Sequence, residues 1–166
     1  MRILHPIPPA LLQGAAALWW SGFGRAARPL WPGPVPPADG AQGLAAVAPD
    51  GSLAGVAGLR DAGGGFLQLA PHPLDLLFRP APPTDDLVID GIITAPAHRR
   101  SGAGRAMIEA ALRQARTRGF PGLRAEVAAR NRAAVQFWQA LGFTEIGRGR
   151  YGWPWTGQVV LMRRDA

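Results

Sequence analysis

One continuous segment, residues 86–129, constrains the fold of this chain more than any other. It begins with "DLVIDGIIT", whose nearly unbroken apolar and β-branched character predicts a strand buried on both faces. Two glycines, Gly102 and Gly104, then open an amphipathic helical pattern that ends at Gly119, and "LRAEVAA" predicts a second strand. A strand, a helix and a strand in this order form a βαβ unit. We therefore predict an α/β fold with parallel neighbouring strands and a right-handed crossover.

Other predicted elements flank this unit and make the sheet a mixed one. They are a strand at 2–5, a helix from Pro8 or Pro9 to Gly22, a β-hairpin about "PDG" at 49–51, a short strand at 66–69, a helix capped by Asn131 and ended by Gly142, and strands at 143–147 and 158–162. Residues 71–84 are proline-rich and predict at most two helical turns. The last helix is expected to bury Ala134, Val135, Phe137, Trp138 and Leu141. No linker divides the chain, so we expect one domain, 1–166, with a motif-bearing core at about 87–164.

Composition and charge narrow the classes of ligand. The chain has no cysteine, which excludes disulfides, thiolate metal sites and a cysteine nucleophile. His5, His72 and His98 lie far apart in sequence, so we expect no metal. The net charge of +7, carried entirely by arginine, favours anionic ligands. Because the arginines are scattered and the tryptophans lie mostly in apolar contexts, we expect no nucleic-acid partner.

The N-terminal stretch "MRILHPIPPALLQGAAALWW" is apolar but does not predict a membrane segment. Prolines and Gln13 interrupt it, and its apolar run is too short to span a bilayer. We therefore expect a cytoplasmic protein with no membrane partner.

The glycines at the start of the central helix predict an anion site. A helix N-terminus exposes unpaired N–H groups and a partial positive charge, and glycine lets a phosphate approach the backbone closely. A P-loop would need a lysine after the glycines, and the chain has none. A dinucleotide fingerprint would need a third glycine where Met107 stands, although Glu126 fits the position of a ribose-binding acid. That second interpretation stays open as the weaker one.

Two motifs in order point to a known family. Residues 99–104, "RRSGAG", match Arg/Gln-x-x-Gly-x-Gly/Ala and follow a strand that ends in "TAP". Residues 131–143, "NRAAVQFWQALGF", match Asn-x-x-Ala-x-x-aromatic-aromatic-x-x-x-Gly-Phe. Together they resemble the GNAT superfamily of acyl-CoA-dependent N-acetyltransferases. The resemblance covers about residues 87–164, roughly half of the chain, and implies a single-domain GNAT-like fold with helices on a central mixed sheet.

The resemblance also implies acetyl-CoA as the cosubstrate, without a metal. The pyrophosphate would lie on the backbone amides of the glycine turn, and the pantetheine arm would lie in a gap where strand 87–94 splays from strand 123–128. The amide near Ile93 would polarise the thioester carbonyl. Asn131 is expected to contact the cofactor, to cap the last helix, or both. The implied cofactor-binding residues are Ile92, Ile93, Thr94, Arg99, Arg100, Gly102, Ala103, Gly104, Arg105, Asn131 and Trp138.

The chemistry implied is direct attack of an amine on the thioester, which needs a base and an acid. Glu126 and Asp90 are the candidate bases. Glu126 has the alternative role of pairing with Arg124 or another arginine, and Asp90, in an apolar strand, needs a partner or has a raised pKa. The usual acid of the second motif is a tyrosine, where this chain has Trp138, which we expect to be a core residue. Tyr151, the only tyrosine, is therefore the candidate acid, unless the thiolate leaves unaided.

The resemblance assigns the acceptor pocket to the first helices and to the linker between the last two strands. The aromatic residues there are Trp19, Trp20, Phe23, Trp31, Trp153 and Trp155. Helix packing is the alternative role for Trp19 or Trp20, and "YGWPW" is expected to form a lid over the pocket. The acceptor implied is a primary amine of a small molecule or a peptide.

Two alternatives stay open beside this enzyme. The missing tyrosine at Trp138 favours a non-catalytic acyl-CoA sensor, and the arginines favour a nucleotide- or nucleic-acid-binding domain. A homodimer is one option for the assembly.

Overall fold

The computed structural model describes residues 1–27 and 34–166, which form an eight-stranded sheet and three α-helices. The strands are β1 Arg2–Leu4, β2 Gly43–Val47, β3 Leu53–Asp61, β4 Gly64–Gly65, β5 Leu87–Thr94, β6 Gly122–Ala128, β7 Thr144–Arg150 and β8 Gln158–Asp165. The helices are α1 Pro9–Ala27, α2 Ala103–Thr117 and α3 Arg132–Ala140. Short 3₁₀ turns lie at Gly40–Gln42, Pro73–Leu77 and Pro96–His98.

The strands form one mixed sheet in the order β1-β2-β3-β5-β6-β8-β7, with β4 paired to β3 outside this path. Each neighbouring pair is antiparallel except β5 and β6, which are parallel and joined through α2. The predicted βαβ unit and mixed α/β fold are therefore confirmed. The hairpin of β2 and β3 about the "PDG" turn is confirmed as well.

The sheet separates two apolar layers because its side chains alternate. On β2, Leu44 and Ala46 belong to the cluster that contains α2, whereas Ala45 between them belongs to the cluster that contains α1. Met107, Ile108, Ala111, Leu112 and Ala115 form the buried face of α2, as their helical spacing predicts. Trp138 and Leu141 at the end of α3 join the α2 cluster.

The only parallel strand pair of the described residues separates after three residues. β5 and β6 pair at Leu87 with Leu123, at Val88 with Arg124 and at Ile89 with Ala125. Beyond that point β5 continues along β3, and β6 continues along β8. The β3–β5 register shifts by one residue at Asp90, which makes Asp90 the extra residue of a β-bulge. The two strands therefore splay at Asp90, as the family resemblance implied.

Two local predictions are wrong. The expected strand at 66–69 is instead a single bridge between Leu67 and Ala38, after the two-residue β4. The chain opposite contains Pro37, whose ring nitrogen has no hydrogen to donate, so a regular ladder cannot continue there. Phe137 is 36% exposed rather than part of the buried face of α3.

Other elements differ from the prediction only in their ends. The first helix continues to Ala27, β7 to Arg150 and β8 to Asp165. The proline-rich residues 71–84 form one short 3₁₀ turn, within the predicted limit of two helical turns. Asn131 caps α3 as predicted, since its side-chain oxygen accepts a hydrogen bond of 3.1 Å from the Ala134 amide.

Candidate active site

A cavity of about 720 Å³ lies where β5 and β6 separate. Side chains from α1, β3, β5, β6, α3 and the β7–β8 linker line it. It brings together eight residues that the sequence nominated: Trp19, Phe23, Asp90, Ile92, Glu126, Asn131, Trp138 and Tyr151. The cavity is therefore continuous from the aromatic residues of α1 to the cap of α3.

Other nominated residues do not line this cavity. Trp20 is buried elsewhere on α1, with its ring against Gly24. Ile93 directs its side chain at Gly22 of α1, whereas Thr94 ends β5. Trp31 lies outside the described residues. The glycine turn, with Arg99, Arg100, Gly102, Ala103, Gly104 and Arg105, forms a separate surface at the end of β5.

The glycine turn is open at its surface. Gly102 adopts a left-handed conformation with φ of 83° and is the N-cap of α2, with no side chain capping the helix. A Cβ built on Gly102 would meet no atom within 4 Å. Arg100 also has a positive φ, 61°, which is uncommon for a residue with a side chain. The turn is thus held in an unusual backbone shape, with open space beside Gly102.

The first amides of α2 remain unpaired within the helix. Its first backbone bond runs from the Ala106 amide to the Gly102 carbonyl, at 3.0 Å. The amides of Ala103, Gly104 and Arg105 therefore precede any i to i−4 partner, as in every α-helix. These three N–H groups and the helix dipole make this end of α2 suited to an anion.

Gly104 explains the exposure of Phe137. A Cβ on Gly104 would lie 3.2 Å from the Phe137 ring, which is closer than ordinary van der Waals contact. The missing side chain lets the first turn of α2 approach α3, with the Phe137 ring beside it. Phe137 thus packs over the start of α2 rather than into the core, which the spacing of apolar residues on α3 did not show.

Two carboxylates in the cavity are joined through one arginine. Nε of Arg60 donates to Oδ1 of Asp90 at 2.6 Å, and its Nη2 donates to Oε1 of Glu126 at 3.1 Å. The Arg124 Nη2 donates to the same Glu126 oxygen at 2.8 Å. Glu126 therefore contacts two guanidinium groups and Asp90 one. The expected pairing of Glu126 with Arg124 and the expected partner for Asp90 are both confirmed.

Burial and these contacts shift the pKa of two members of the cluster, Asp90 and Arg60. Burial raises the pKa of the Asp90 carboxyl above its ordinary value of 3.8, an effect that Arg60 only partly offsets and that the charge of Glu126 increases. Burial alone would lower the pKa of Arg60, but the two carboxylates hold the pKa of its guanidinium above the ordinary value. Asp90 is thus a stronger base than an exposed aspartate, beside a permanently charged arginine.

Arg60 is a site residue that sequence reasoning missed. It lies at the end of β3, and its approach to Asp90 depends on the pairing of β3 with β5. A charged residue at the end of an apolar strand was visible in the sequence, but the pairing partner of that strand was not. Only the register, in which Arg60 faces Val88, brings it to the bulge at Asp90.

Arg124 ties the cluster to the proline-rich segment. Its side chain is 4% exposed, and Nη1 donates to the Pro82 carbonyl at 2.7 Å. Nε of Arg124 is buried with no hydrogen-bond partner among the described residues. Because the guanidinium is buried, its charge depends on Glu126 for compensation.

Tyr151 lines the cavity, whereas Trp153 and Trp155 after it do not. A Cβ on Gly149 would overlap the Tyr151 ring, so that ring lies directly over the Gly149 backbone. Gly152 exchanges two backbone hydrogen bonds with Arg79, of 2.7 and 2.9 Å, which joins the "YGWPW" linker to the proline-rich segment. The Trp153 ring stacks on Trp155 at 5.5 Å and meets Phe78, a cavity residue, at 5.4 Å.

Trp138 has the core role that its sequence position suggested. It is 4% exposed and packs edge-on against Phe143, with ring centroids 4.7 Å apart. It also contributes to the cavity wall. An indole has no acidic hydroxyl, so a proton donor on this wall must come from elsewhere, and Tyr151 is a cavity residue with a phenolic hydroxyl.

Metal sites and membrane spans are two other kinds of feature. Among the described residues, no group of three or more His, Cys, Asp and Glu side chains could hold a metal ion. No helix in residues 1–27 or 34–166 is long and apolar enough to cross a membrane.

Several known proteins are similar to this chain. Ribosomal protein bS18-alanine N-acetyltransferase of Escherichia coli strain K12 is 35% identical over 72 residues, which are 43% of this chain and 49% of that protein. The chain thus spans about half the length of the curated relatives it matches. A GCN5-related N-acetyltransferase from Kribbella flavida shares the fold with a TM-score of 0.64, at 23% identity over 99% of this chain and 97% of its own.

A further structure and a family model agree with these similarities. An acetyltransferase structure from Bacillus anthracis in complex with acetyl coenzyme A has the same fold, with a TM-score of 0.54 and 16% identity over 75% of this chain and 62% of its own. The model of the Acetyltransferase (GNAT) family matches residues 17–143, well over half of the chain. These residues include β5, the open glycine turn, both cavity carboxylates and α3. The chain therefore belongs to the GNAT family of acetyltransferases.

Proposed function

We propose that this acetyltransferase moves the acetyl group of acetyl-CoA to a primary amine of a small molecule or a peptide, by direct attack of the amine. One arrangement carries the proposal: β5 leads into the open glycine turn at one end and forms a wall of the gap with Asp90 at the other. A single strand thus connects an anion site to a base.

The glycine turn fits the diphosphate of acetyl-CoA. A diphosphate needs several N–H donors and nearby positive charge. The unpaired amides of Ala103, Gly104 and Arg105 provide the donors, and a Cβ at Gly102 would meet no atom within 4 Å. Arg99, Arg100 and Arg105 are exposed, and none forms an ion pair with a described residue.

The edges freed by the splay would hold the rest of the cosubstrate. Ile92, Ile93 and Thr94 of β5 lie beyond the last pair with β6, so the β6 side of this strand has no ladder partner. Asn131 and Trp138 line the same gap from α3. Acetyl-CoA supplies the activated thioester, and a backbone amide near Ile93 on the β6 side of β5 is the proposed donor to its carbonyl oxygen.

Asp90 is the proposed proton acceptor, and Glu126 the residue that orients Arg60. Glu126 contacts two guanidinium groups, which occupy its carboxylate. Asp90 contacts one, and burial raises the pKa of its carboxyl. A base with a raised pKa accepts a proton from an amine more readily than an ordinary carboxylate does.

Tyr151 is the proposed acid for the leaving thiolate. It lines the cavity, and its ring position is fixed over Gly149. The substitution Tyr151→Phe keeps the ring and removes the proton. We expect a loss of about tenfold to a hundredfold in kcat with no change in acetyl-CoA affinity. An unchanged kcat would show that the thiolate leaves without this hydroxyl.

The Escherichia coli relative supports a peptide amine as the acceptor, because its name gives an alanine of a ribosomal protein as its own acceptor. The test is a thiol-release assay with acetyl-CoA and a panel of amines that includes small monoamines, polyamines and short peptides with free N-termini. Amine-dependent release of CoA, with an acetylated product detected by mass spectrometry, is the expected result. Tight acetyl-CoA binding without turnover on any amine would contradict the proposal and favour the sensor.

A further inference from the structure

Two aromatic rings lie directly on the backbone beside the base. Gly58 of β3 and Gly91 of β5 face each other as register partners. A Cβ on Gly58 would lie 2.9 Å from the Trp19 indole nitrogen, and a Cβ on Gly91 would lie 2.7 Å from the Phe23 ring. This glycine pair therefore lets α1 bring both rings down to the surface of the sheet, next to the bulge at Asp90.

The rings form one apolar wall of the cavity. Their centroids are 4.7 Å apart, and both residues line the cavity. Phe23 is 38% exposed, so its ring is available to a bound molecule. Leu67 and Phe78 extend the apolar surface of the same cavity. A wall of this kind favours an apolar group of aromatic size.

The charges in and beside this cavity balance one another. Asp90 and Glu126 are its only acidic lining residues in the described part of the chain. Both carboxylates contact Arg60, and Glu126 also contacts Arg124. Two guanidinium groups thus balance two carboxylates. The cavity therefore offers a molecule with several positive charges no cluster of unpaired acidic side chains. A single amine can still approach Asp90.

We infer that the acceptor of this site is a monoamine attached to an apolar group of aromatic size, and not a polyamine. This inference rests on the proposed acetyl transfer. The ammonium gives one proton to Asp90, and the nitrogen lone pair then forms the C–N bond while the C–S bond breaks. A second nitrogen proton ends on the sulfur as CoA leaves as a thiol, and the third remains on the amide product.

The source of the amine is either a small molecule or the first residue of a peptide, because both present the same chemistry. The experiment measures kcat/KM with saturating acetyl-CoA for 2-phenylethylamine, spermidine, and the tripeptides Phe-Gly-Gly and Asp-Gly-Gly. We expect at least one apolar amine to exceed both spermidine and Asp-Gly-Gly by about tenfold or more. The ratio between 2-phenylethylamine and Phe-Gly-Gly then distinguishes the two sources.

Variants of the wall test whether it causes this preference. Phe23→Ala is expected to lower kcat/KM for the preferred apolar amine by about tenfold, mainly through KM, and to leave acetyl-CoA affinity unchanged. Phe23→Leu, which keeps an apolar side chain, covers the case in which the alanine variant does not fold. Leu76→Ala is the control, because Leu76 is 93% exposed and lies outside the cavity.

The outcomes separate this inference from the proposed function. Efficient acetylation of spermidine, or equal rates for all four amines, would overturn the apolar-monoamine preference while the acetyl transfer stands. No turnover with any amine, despite acetyl-CoA binding, would overturn both. An apolar preference that survives in Phe23→Ala and Phe23→Leu would contradict the assignment of the aromatic wall.

Discussion

At the scale of single residues, the two cavity carboxylates differ in what surrounds them. Glu126 accepts from two arginines, and one of these, Arg124, is buried. Asp90 accepts from Arg60 alone and sits at a β-bulge in a strand of apolar residues. We therefore propose two roles for the same kind of group: Glu126 holds charges in place, and Asp90 exchanges a proton.

This division predicts different losses for Asp90→Asn and Glu126→Gln. Asp90→Asn is expected to reduce kcat by about a hundredfold or more with acetyl-CoA affinity unchanged, because it removes the proton acceptor. Glu126→Gln is expected to reduce kcat less and to destabilise the fold by about 2–3 kcal/mol, because the buried Arg124 loses its counter-charge. Steady-state kinetics, acetyl-CoA titration and thermal unfolding of both variants measure this. A larger kcat loss in Glu126→Gln would reverse the two roles.

The raised pKa of Asp90 predicts the acidic side of the pH profile. The base works only when it is deprotonated, so kcat falls as the pH falls through its pKa. Because burial holds that pKa above the ordinary 3.8, activity is lost at higher pH than for an exposed aspartate. The check is kcat against pH for the wild type and for Asp90→Asn, whose residual activity should lack this acidic limb. If kcat falls over the same acidic pH range in both proteins, a group other than Asp90 causes the loss.

At the scale of elements, the site depends on where β5 stops pairing. Its first three residues are fixed against β6, and the rest leaves the gap open and ends at the glycine turn. The turn needs its left-handed residues to direct the first amides of α2 outwards. Strand, bulge, turn and helix thus act as one unit, and a change of backbone shape in the turn should affect cosubstrate binding more than the fold.

Gly102→Ala tests this with a matched control. Gly102 and Gly51 both have a left-handed φ, 83° and 86°, and a Cβ at either would meet nothing within 4 Å. Alanine at either position should therefore lower the free energy of unfolding by a similar amount, about 1–2 kcal/mol. Only Gly102→Ala is expected to weaken acetyl-CoA binding, by about tenfold, measured by calorimetric titration. Equal acetyl-CoA affinities in both variants would contradict the proposed placement of the diphosphate on this turn.

Local sequence patterns predicted the elements of the motif region. The features that these patterns missed depend on contacts between residues distant in sequence. The βαβ unit, the buried face of α2 and the Asn131 cap all follow from neighbouring residues, and each is confirmed. Arg60 was missed because its role arises from the β3–β5 register. Phe137 was assigned to the core because helical spacing alone does not reveal that Gly104 of another helix gives its ring a place at the surface.

At the scale of the whole molecule, the positive charge is distributed unevenly. The net charge is +7, but Arg60, Arg118, Arg124, Arg148, Arg163 and Arg164 are engaged in ion pairs. The exposed arginines of the glycine turn have no such partner among the described residues. Excess charge is thus available where the diphosphate is proposed to bind.

This distribution predicts a local effect of salt. Acetyl-CoA affinity should fall a few-fold as salt rises from about 0.05 M to 0.5 M, because exposed charges are screened over these concentrations. Arg105→Gln should weaken binding and reduce that salt dependence. Arg113→Gln removes the same charge from the exposed face of the same helix and should do neither. Strong, salt-steep binding to duplex DNA with no binding of acetyl-CoA would favour the nucleic-acid alternative.

The most direct test of the proposed site is a crystal structure of the protein with acetyl-CoA. We expect the diphosphate on the amides of residues 102–105 and the thioester between β5 and β6, with Asp90 facing the acyl group. Acetyl-CoA bound elsewhere, or β5 and β6 closed against each other with the ligand outside the gap, would contradict it.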